Sequence, residues 1–515
     1  MSAFVPHARV RLVNAFARPY ENAVATARTC YSAKGIVTPD EVARQPEVRD
    51  RIARGIYAAG HHTTFQHAHF QFTLENVSRH FIWDFLHSHP FYNSEQVSQR
   101  YVRVRPDAMV IPPLEGKARE VYVQTLQVQV EAYEQLIHML MPAVEQAYFE
   151  RFPHHRPKKG GKAHRLARRW IPRKAQEVAR YVLPVATTAY LYHTISLLTL
   201  FRYYRLARQC DVPTETWSVV QAMVQEVLRW DPELERLFEE PIPLEETLEY
   251  AYWQEGCESN PWQKEYREEF DRSLEGFRSR LVGYKENNEA LLAQGVREVL
   301  GLPRARLSDE EAIALVLDPR RNRYLAEALN LTAHAKLTRV LHHPSYTFRK
   351  KLSHTADSQD QRHRLTPGSR PLMSAYLTEE PDYITPALIR EEEGARRYYA
   401  EVMEQIWAGI GALRRMGVPG EYASYLLPNA VAIRFTESAD LLGLHHKLRM
   451  RLCYNAQEEI FTASVEEARQ IAQVNPRIGQ YLGPPCRLRY LAGVKPYCPE
   501  GERYCGVRVW ELGIG

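Results

Sequence analysis

No run of about 18 apolar residues occurs anywhere in the 515-residue chain, so no membrane span is predicted. Cysteine is sparse: there are seven, an odd number, and they are scattered. That argues against a disulfide framework and for a reducing, cytoplasmic setting. The segment Met1–Val10 carries no charged-then-apolar leader, so no secretory signal is expected. A Gly-x-Gly-x-x-Gly loop is missing, which leaves a Rossmann dinucleotide site unsupported. Neither charge sign dominates. The net charge of +5 and pI near 8.7 suit an anionic substrate without demanding nucleic acid.

What is present is ordinary globular composition, with 45% hydrophobic and 25% charged residues, enough for more than one core. The length implies roughly two to four domains. Alternation predicts strands over His7–Phe16 and over His67–Glu75, where Phe70, Phe72 and Leu74 face one side. Helical periodicity predicts helices over Pro19–Ala33, Val48–Ala59, Val121–Phe152, Val178–Arg208 and Thr214–Trp230. Further helical patterns cover Leu325–His342, Tyr398–Met416 and Leu426–Ile460. Helices dominate a few strands, so the class is α/β or α+β, with a small mixed sheet expected in each half.

The chain repeats itself. Residues 177–184 read EVARYVLP and residues 421–428 read EYASYLLP; each precedes an apolar, arginine-containing stretch, Leu197–Arg208 and Leu441–Leu452. Upstream, LHSHPFY (Leu86–Tyr92) pairs with LHHPSY (Leu341–Tyr346), and Gln99-Arg100-Tyr101 with Gln361-Arg362-His363. Common order makes this a tandem duplication. The expected divisions are 1–230 for the first repeat, 231–310 for a helical connector, 311–480 for the second repeat and 481–515 for a cysteine-containing tail.

These motifs resemble the flavin-dependent thymidylate synthase family. GHHTTFQH (Gly60–His67) is similar to its Gly-His-x-Thr-x-x-Glu-His flavin turn, with Gln66 in place of Glu. SQRYV (Ser98–Val102) resembles its Ser-x-Arg-Tyr substrate loop, and Arg180 matches a substrate-binding arginine. Arg208 falls where the family has a uracil-binding arginine. The family's Arg-His-Arg triplet is His87-Ser88-His89 in the first half, so both flavin-contacting arginines are replaced there. A literal Arg362-His363-Arg364 stands in the second half. It is open to two alignments, as the triplet itself or with Arg362 opposite Arg100; the order of the repeated parts favours the latter. NAQEEI (Asn455–Ile460) is similar to the family's Ala-Gln-x-Glu-Ile helix. Arg451 before it is read as the counterpart of Arg208, and Ser424 as that of Arg180.

The resemblance implies an FAD-dependent enzyme that methylates dUMP to dTMP, with methylenetetrahydrofolate and NADPH as co-substrates. Neither half is complete, so the expected site is a composite. Arginine suits the dianionic phosphate because it binds bidentately and stays charged. Ser98, Gln99, Arg100 and Arg180 are therefore assigned to substrate, with Arg362 reaching either ligand. Gln96 or Gln359 is expected at the uracil edge, since an amide both donates and accepts. Arg451 or Arg208 is expected to stabilise charge developing on the pyrimidine. His61, Thr63, Gln66, Arg362, His363 and Arg364 are expected at the flavin, which carries the hydride chemistry. A flavin-free synthase is excluded because Pro485-Cys486-Arg487 lacks the Pro-Cys-His nucleophile setting.

Four repeats per family tetramer implies a homodimer of this fused chain. Residues 151–180 hold 11 Lys or Arg and one acid, Glu177, and read as a flexible basic insertion or a polyanion-binding segment. Little aromatic interleaving argues against nucleic acid. No metal is expected: Cys486, Cys498 and Cys505 are only three local candidates, and a fourth ligand must come from Cys453 or a histidine. Two alternatives stay open: a flavin and folate enzyme on another uracil, and a degenerate nucleotide- or flavin-binding paralogue.

Overall fold

A computed structural model describes residues 8–152, 161–209, 211–250 and 262–512. Strands β1 (Arg9–Ala15), β2 (His69–Ser78), β3 (Asn93–Gln96) and β4 (Thr188–Ser196) form one sheet in the order β1-β2-β4-β3. Strands β5 (Ser279–Tyr284), β6 (Ser345–Ser353), β7 (Gly368–Ser369) and β8 (Ala432–Asp440) form a second in the order β5-β6-β8-β7. The α+β class and the tandem repeat follow. Every strand pairing among the described residues is antiparallel, so the expected mixed sheets are corrected. The helical connections return the chain in the opposite sense.

The alternation in β2 does what it predicts, burying Phe70, Phe72 and Leu74. Elsewhere apolar richness misled the reading. Val178–Arg208 and Leu426–Ile460, expected as helical, each contain a central strand, β4 and β8. Both strands are apolar on the inner face and precede helices just as apolar, so the change of period is hidden. Leu325–His342 forms short 3₁₀ turns, including Leu331–Ala333 and Thr338–His342. The segment expected as a connector supplies β5, an edge strand of the second sheet.

The two repeats meet about a pseudo-twofold axis. Pro184 and Pro428 bridge each other there. Around them the backbone contacts are reciprocal. Val185 N donates to the Leu427 carbonyl at 2.8 Å, and Asn429 N to the Leu183 carbonyl at 2.8 Å. Ala186 N donates to Tyr425 and Ala430 N to Tyr181, each at 2.9 Å. Tyr181 Oη donates to Glu459 at 2.6 Å while Tyr425 Oη donates to Glu215 at 2.6 Å. Those glutamates hold Ser78 and Ser353, the residues that end β2 and β6 and cap the helices that follow. Such exchange of identical contacts is the signature of an isologous interface, here folded into one chain.

Helices Gly116–Arg151 and Glu393–Arg415 pack across the same boundary. Gly409 permits it, because a Cβ there would overlap the Thr125 hydroxyl. One apolar core runs continuously through both repeats, from Tyr20 to Ala463, and a second lies under β5–β8.

Candidate active site

The axis sets the register of the repeats and thereby places the candidate residues. Ser78 and Ser353 cap equivalent helices, Arg79–His87 and His354–Asp360. Counting from them sets Arg362-His363-Arg364 opposite His87-Ser88-His89, and Gln359 opposite Asp84. The alignment of Arg362 with Arg100 is corrected. LHSHPFY and LHHPSY are likewise not equivalent: the first ends a helix, the second enters β6. The helices after β4 and β8, Leu197–Leu206 and Leu441–Arg451, begin in step after Ser196 and Asp440. Arg451 therefore stands opposite Ala207, and Arg208 opposite Leu452.

A cleft of about 860 Å³ opens between the repeats. From the first repeat it is lined by Gln96, Ser98, Gln99, Arg100 and Arg180; from the second by Gln359, Arg362 and Arg451. The residues expected at the substrate are brought together, on the far sides of a boundary that the sequence does not mark.

Each is held differently. β3 ends at Gln96, and the chain turns through Ser98, whose hydroxyl accepts from Arg100 N at 3.2 Å. Arg100 Nε pairs with Glu177, and Nη2 donates to the Asn455 carbonyl at 2.9 Å. Burial raises the Glu177 carboxyl, but Lys174, Arg100 and Arg180 outweigh it and bring it down to about 2. Arg180 is 5% exposed, and its Nε and Nη2 have no hydrogen-bond partner. Burial lowers its pKa, and Glu177 opposes that only in part. A buried guanidinium with free donors on a cleft wall is built to receive an anion.

The second repeat supplies the other wall. Arg451 donates from Nε to His363 Nε2 at 2.8 Å and from Nη2 to the Gln359 carbonyl at 2.6 Å. Accepting from Arg451 requires His363 to be neutral, and burial, then Arg451, holds its pKa well below the usual value. Burial brings Arg451 down to about 10, still charged at neutral pH, with Asp360 opposing and Arg100 and Arg362 adding. Both side-chain amide atoms of Gln359 are buried and unpartnered, whereas Gln96 Oε1 already accepts from Arg79 at 2.7 Å. The open amide is therefore Gln359.

Other expected residues lie elsewhere. Arg208 is exposed, with its guanidinium 4.8 Å from the Trp217 ring centroid, and does not line the cleft. His61, Thr63 and Gln66 are exposed on or beside the turn His62–His67 and do not line it either. Arg364 crosses to the first repeat and donates to the Pro90 carbonyl at 3.1 Å and to that of Tyr92, anchoring the loop before β3. Arg362 pairs with Glu95 at 2.7 Å on the cleft rim.

Several residues escaped the sequence reading. Arg79 lines the cleft, its Nε unpartnered and its pKa lowered to about 9 by burial, with Arg180 and Arg362 adding. Only its position after a capping serine marks it. Asn429 donates to Gln99 at 3.2 Å and to the Arg180 carbonyl at 3.0 Å, locking the two repeats together at the site. The basic stretch is largely the helix Lys162–Ala179, whose Arg173 and Lys174 face the cleft; residues 153–160 lie outside the described residues. The tail contributes Glu500 and residues 502–507, and Arg173 and Arg503 both lie over the Tyr101 ring.

Fold and cleft define a duplicated α+β chain with a cationic, nucleotide-sized site between its halves. The family described as thymidylate synthase complementing protein matches residues 11–233 and again 280–477, and the chain belongs to it. A flavin-dependent thymidylate synthase of Geobacter sulfurreducens is 33% identical over 171 residues, 32% of this chain and 70% of that protein. One of Clostridium tetani is 25% identical over 231 residues, 44% of this chain and 84% of that protein. Each relative thus spans about one repeat. Among solved structures, a UMP/dUMP methylase PolB from Streptomyces cacaoi bound with 5-Br dUMP shares 19% identity at a TM-score of 0.31, over 45% of this chain and 95% of that one.

Proposed function

We propose that the chain is an FAD-dependent thymidylate synthase that converts dUMP to dTMP with methylenetetrahydrofolate and NADPH, at one composite site per chain. The observation that carries this is the meeting of Arg100 and Arg180 from the first repeat with Gln359 and Arg451 from the second in one cleft. Family membership supplies the reaction class, and the donor set supplies the fit.

Arg180 and Arg100 bind the dUMP phosphate, and Ser98 with the neighbouring backbone amides completes its shell. Gln359 pairs with the uracil edge through its free amide. Arg451, fixed by His363 and the Gln359 carbonyl, faces the ring and stabilises negative charge as it develops. Unpartnered cationic donors at Arg79 and Arg180 fit a phosphate-bearing cofactor as well as the substrate, and Arg362 on the rim would hold the flavin. When bound, FAD supplies hydride transfer. The exposed turn with His61, Thr63 and Gln66 would serve the cleft of a second copy in a cytoplasmic homodimer.

The test is anaerobic incubation of purified protein with dUMP, FAD, NADPH and methylenetetrahydrofolate, with dTMP measured by mass spectrometry. FAD-dependent product that Arg451→Ala abolishes supports the reading. Retained FAD without product moves it to another uracil substrate, and loss of both moves it to a binding paralogue.

A further inference from the structure

Four of the seven cysteines, spread over the last part of the chain, come together in space. Cys453, Cys486, Cys498 and Cys505 line one small cavity, and all four are free thiols. Cys453 follows the helix Leu441–Arg451, Cys486 sits in the helix Pro485–Leu491, and the other two belong to the tail. All but the first lie beyond the second family-matched stretch, which stops at residue 477.

Cys505 Sγ donates to the Val507 carbonyl at 3.7 Å. Cysteine binds a metal ion as the thiolate. A divalent cation favours that form, because it binds deprotonated sulfur and cancels the repulsion between neighbouring thiolates. Among the described residues no group of three or more His, Cys, Asp or Glu side chains already stands in ligating geometry. The ion must draw the sulfurs together within their shared cavity.

We propose that Cys453, Cys486, Cys498 and Cys505 bind one zinc(II) ion as a structural tetrathiolate site. Four soft ligands with no open position are the zinc pattern of structural rather than catalytic sites. Such an ion pins the tail where it is needed. Cys453 and Cys505 line the large cleft as well as the small cavity. Asn455, two residues after Cys453, accepts from Arg100 with its carbonyl and donates its side-chain amide to the Arg503 carbonyl at 2.6 Å. The ion thus backs the wall that holds Arg100.

Metal content of the full chain, purified under reducing conditions without chelator, tests this directly. One zinc per chain is expected, retained through dialysis and released when a mercurial titrates the thiols. Cobalt(II) in place of zinc should give the visible absorption of a tetrahedral tetrathiolate in the wild-type chain, whatever the variants do. Cys486→Ser and Cys498→Ser should lose the metal, and Cys30→Ser, at an exposed cysteine, should keep it. Zinc-free protein that takes up none on incubation with zinc(II) and reductant overturns the proposal, as does bound iron with acid-labile sulfide. None of these readouts depends on dUMP turnover, so they stand apart from the proposed activity.

Discussion

Arg180 and Ser424 occupy the same place in the two repeats, one residue before the tyrosines that cross the pseudo-twofold axis. Ser424 is satisfied, with its Oγ 2.9 Å from His80 Nε2, while Arg180 keeps two unpartnered donors facing the cleft. Duplication has let one position be satisfied within the fold and left the other with free donors at the cleft. Arg180→Met should therefore weaken dUMP binding about tenfold or more, since a charge-assisted bond is lost. The same change should leave thermal stability unchanged or raise it, because it removes a buried charge without full partners. Calorimetric titration beside a melting curve checks both; a fall in stability with unchanged affinity would make Arg180 a structural residue.

Arg451 and Arg208 separate in the same manner. Arg451→Ala should lower kcat by about 10²-fold or more, as loss of a preorganised charge-stabilising donor does. Arg208→Ala, on the exposed face beside Trp217, should leave turnover close to wild type. Steady-state dTMP formation by the two variants decides it.

A buried ionic cluster distinguishes the second repeat. Lys350 lies 2.6 Å from Asp360 and 2.9 Å from Glu467, and Lys447 pairs with Asp360 at 3.0 Å and with Glu437, all at 0% side-chain exposure. The equivalent places in the first repeat hold Leu74, Phe85, Met223, Tyr203 and His193. Lys447→Met leaves three carboxylates facing one ammonium and should cost about 3–5 kcal/mol. Urea unfolding measures it; a loss below about 1 kcal/mol would mean the charges are already neutralised by protonation.

Stability should also respond to pH through Glu421. Its carboxylate accepts from Thr214 N at 2.8 Å and Thr214 Oγ1 at 2.9 Å, across the repeat boundary. Burial raises it from 4.5 to about 7, although the Thr214 bonds oppose the shift. A folded pKa above the unfolded one means that the folded state holds the proton more tightly. Its contribution is thus fully present below pH 4.5 and is lost as pH rises through about 7. The loss is at most ~3 kcal/mol. Glu421→Gln should flatten this part of the profile in denaturant titrations between these limits. An unchanged slope would place the dependence elsewhere.

By itself the sequence determined the duplication, the family likeness and many of the residues that line the cleft. Paired strings such as EVARYVLP and EYASYLLP, and short motifs such as SQRYV, are local signals, and residue type there follows directly from the chemistry required. Register did not follow, because Arg451 and Arg208 differ by one helical position, which is about 100° of rotation that flanking similarity does not resolve. The internal strands β4 and β8 were hidden by apolar runs on both sides. Only tertiary structure decided that Gln359 rather than Gln96 is free, that Arg364 serves as an anchor, and that Arg79, Asn429 and the tail border the site. It also gathered four cysteines separated by as many as 52 positions, Cys453 to Cys505, into one cavity. These facts depend on contacts across the pseudo-twofold axis and between distant segments. Burial, partnership and charge coupling are properties of such contacts, and a linear chain does not carry them.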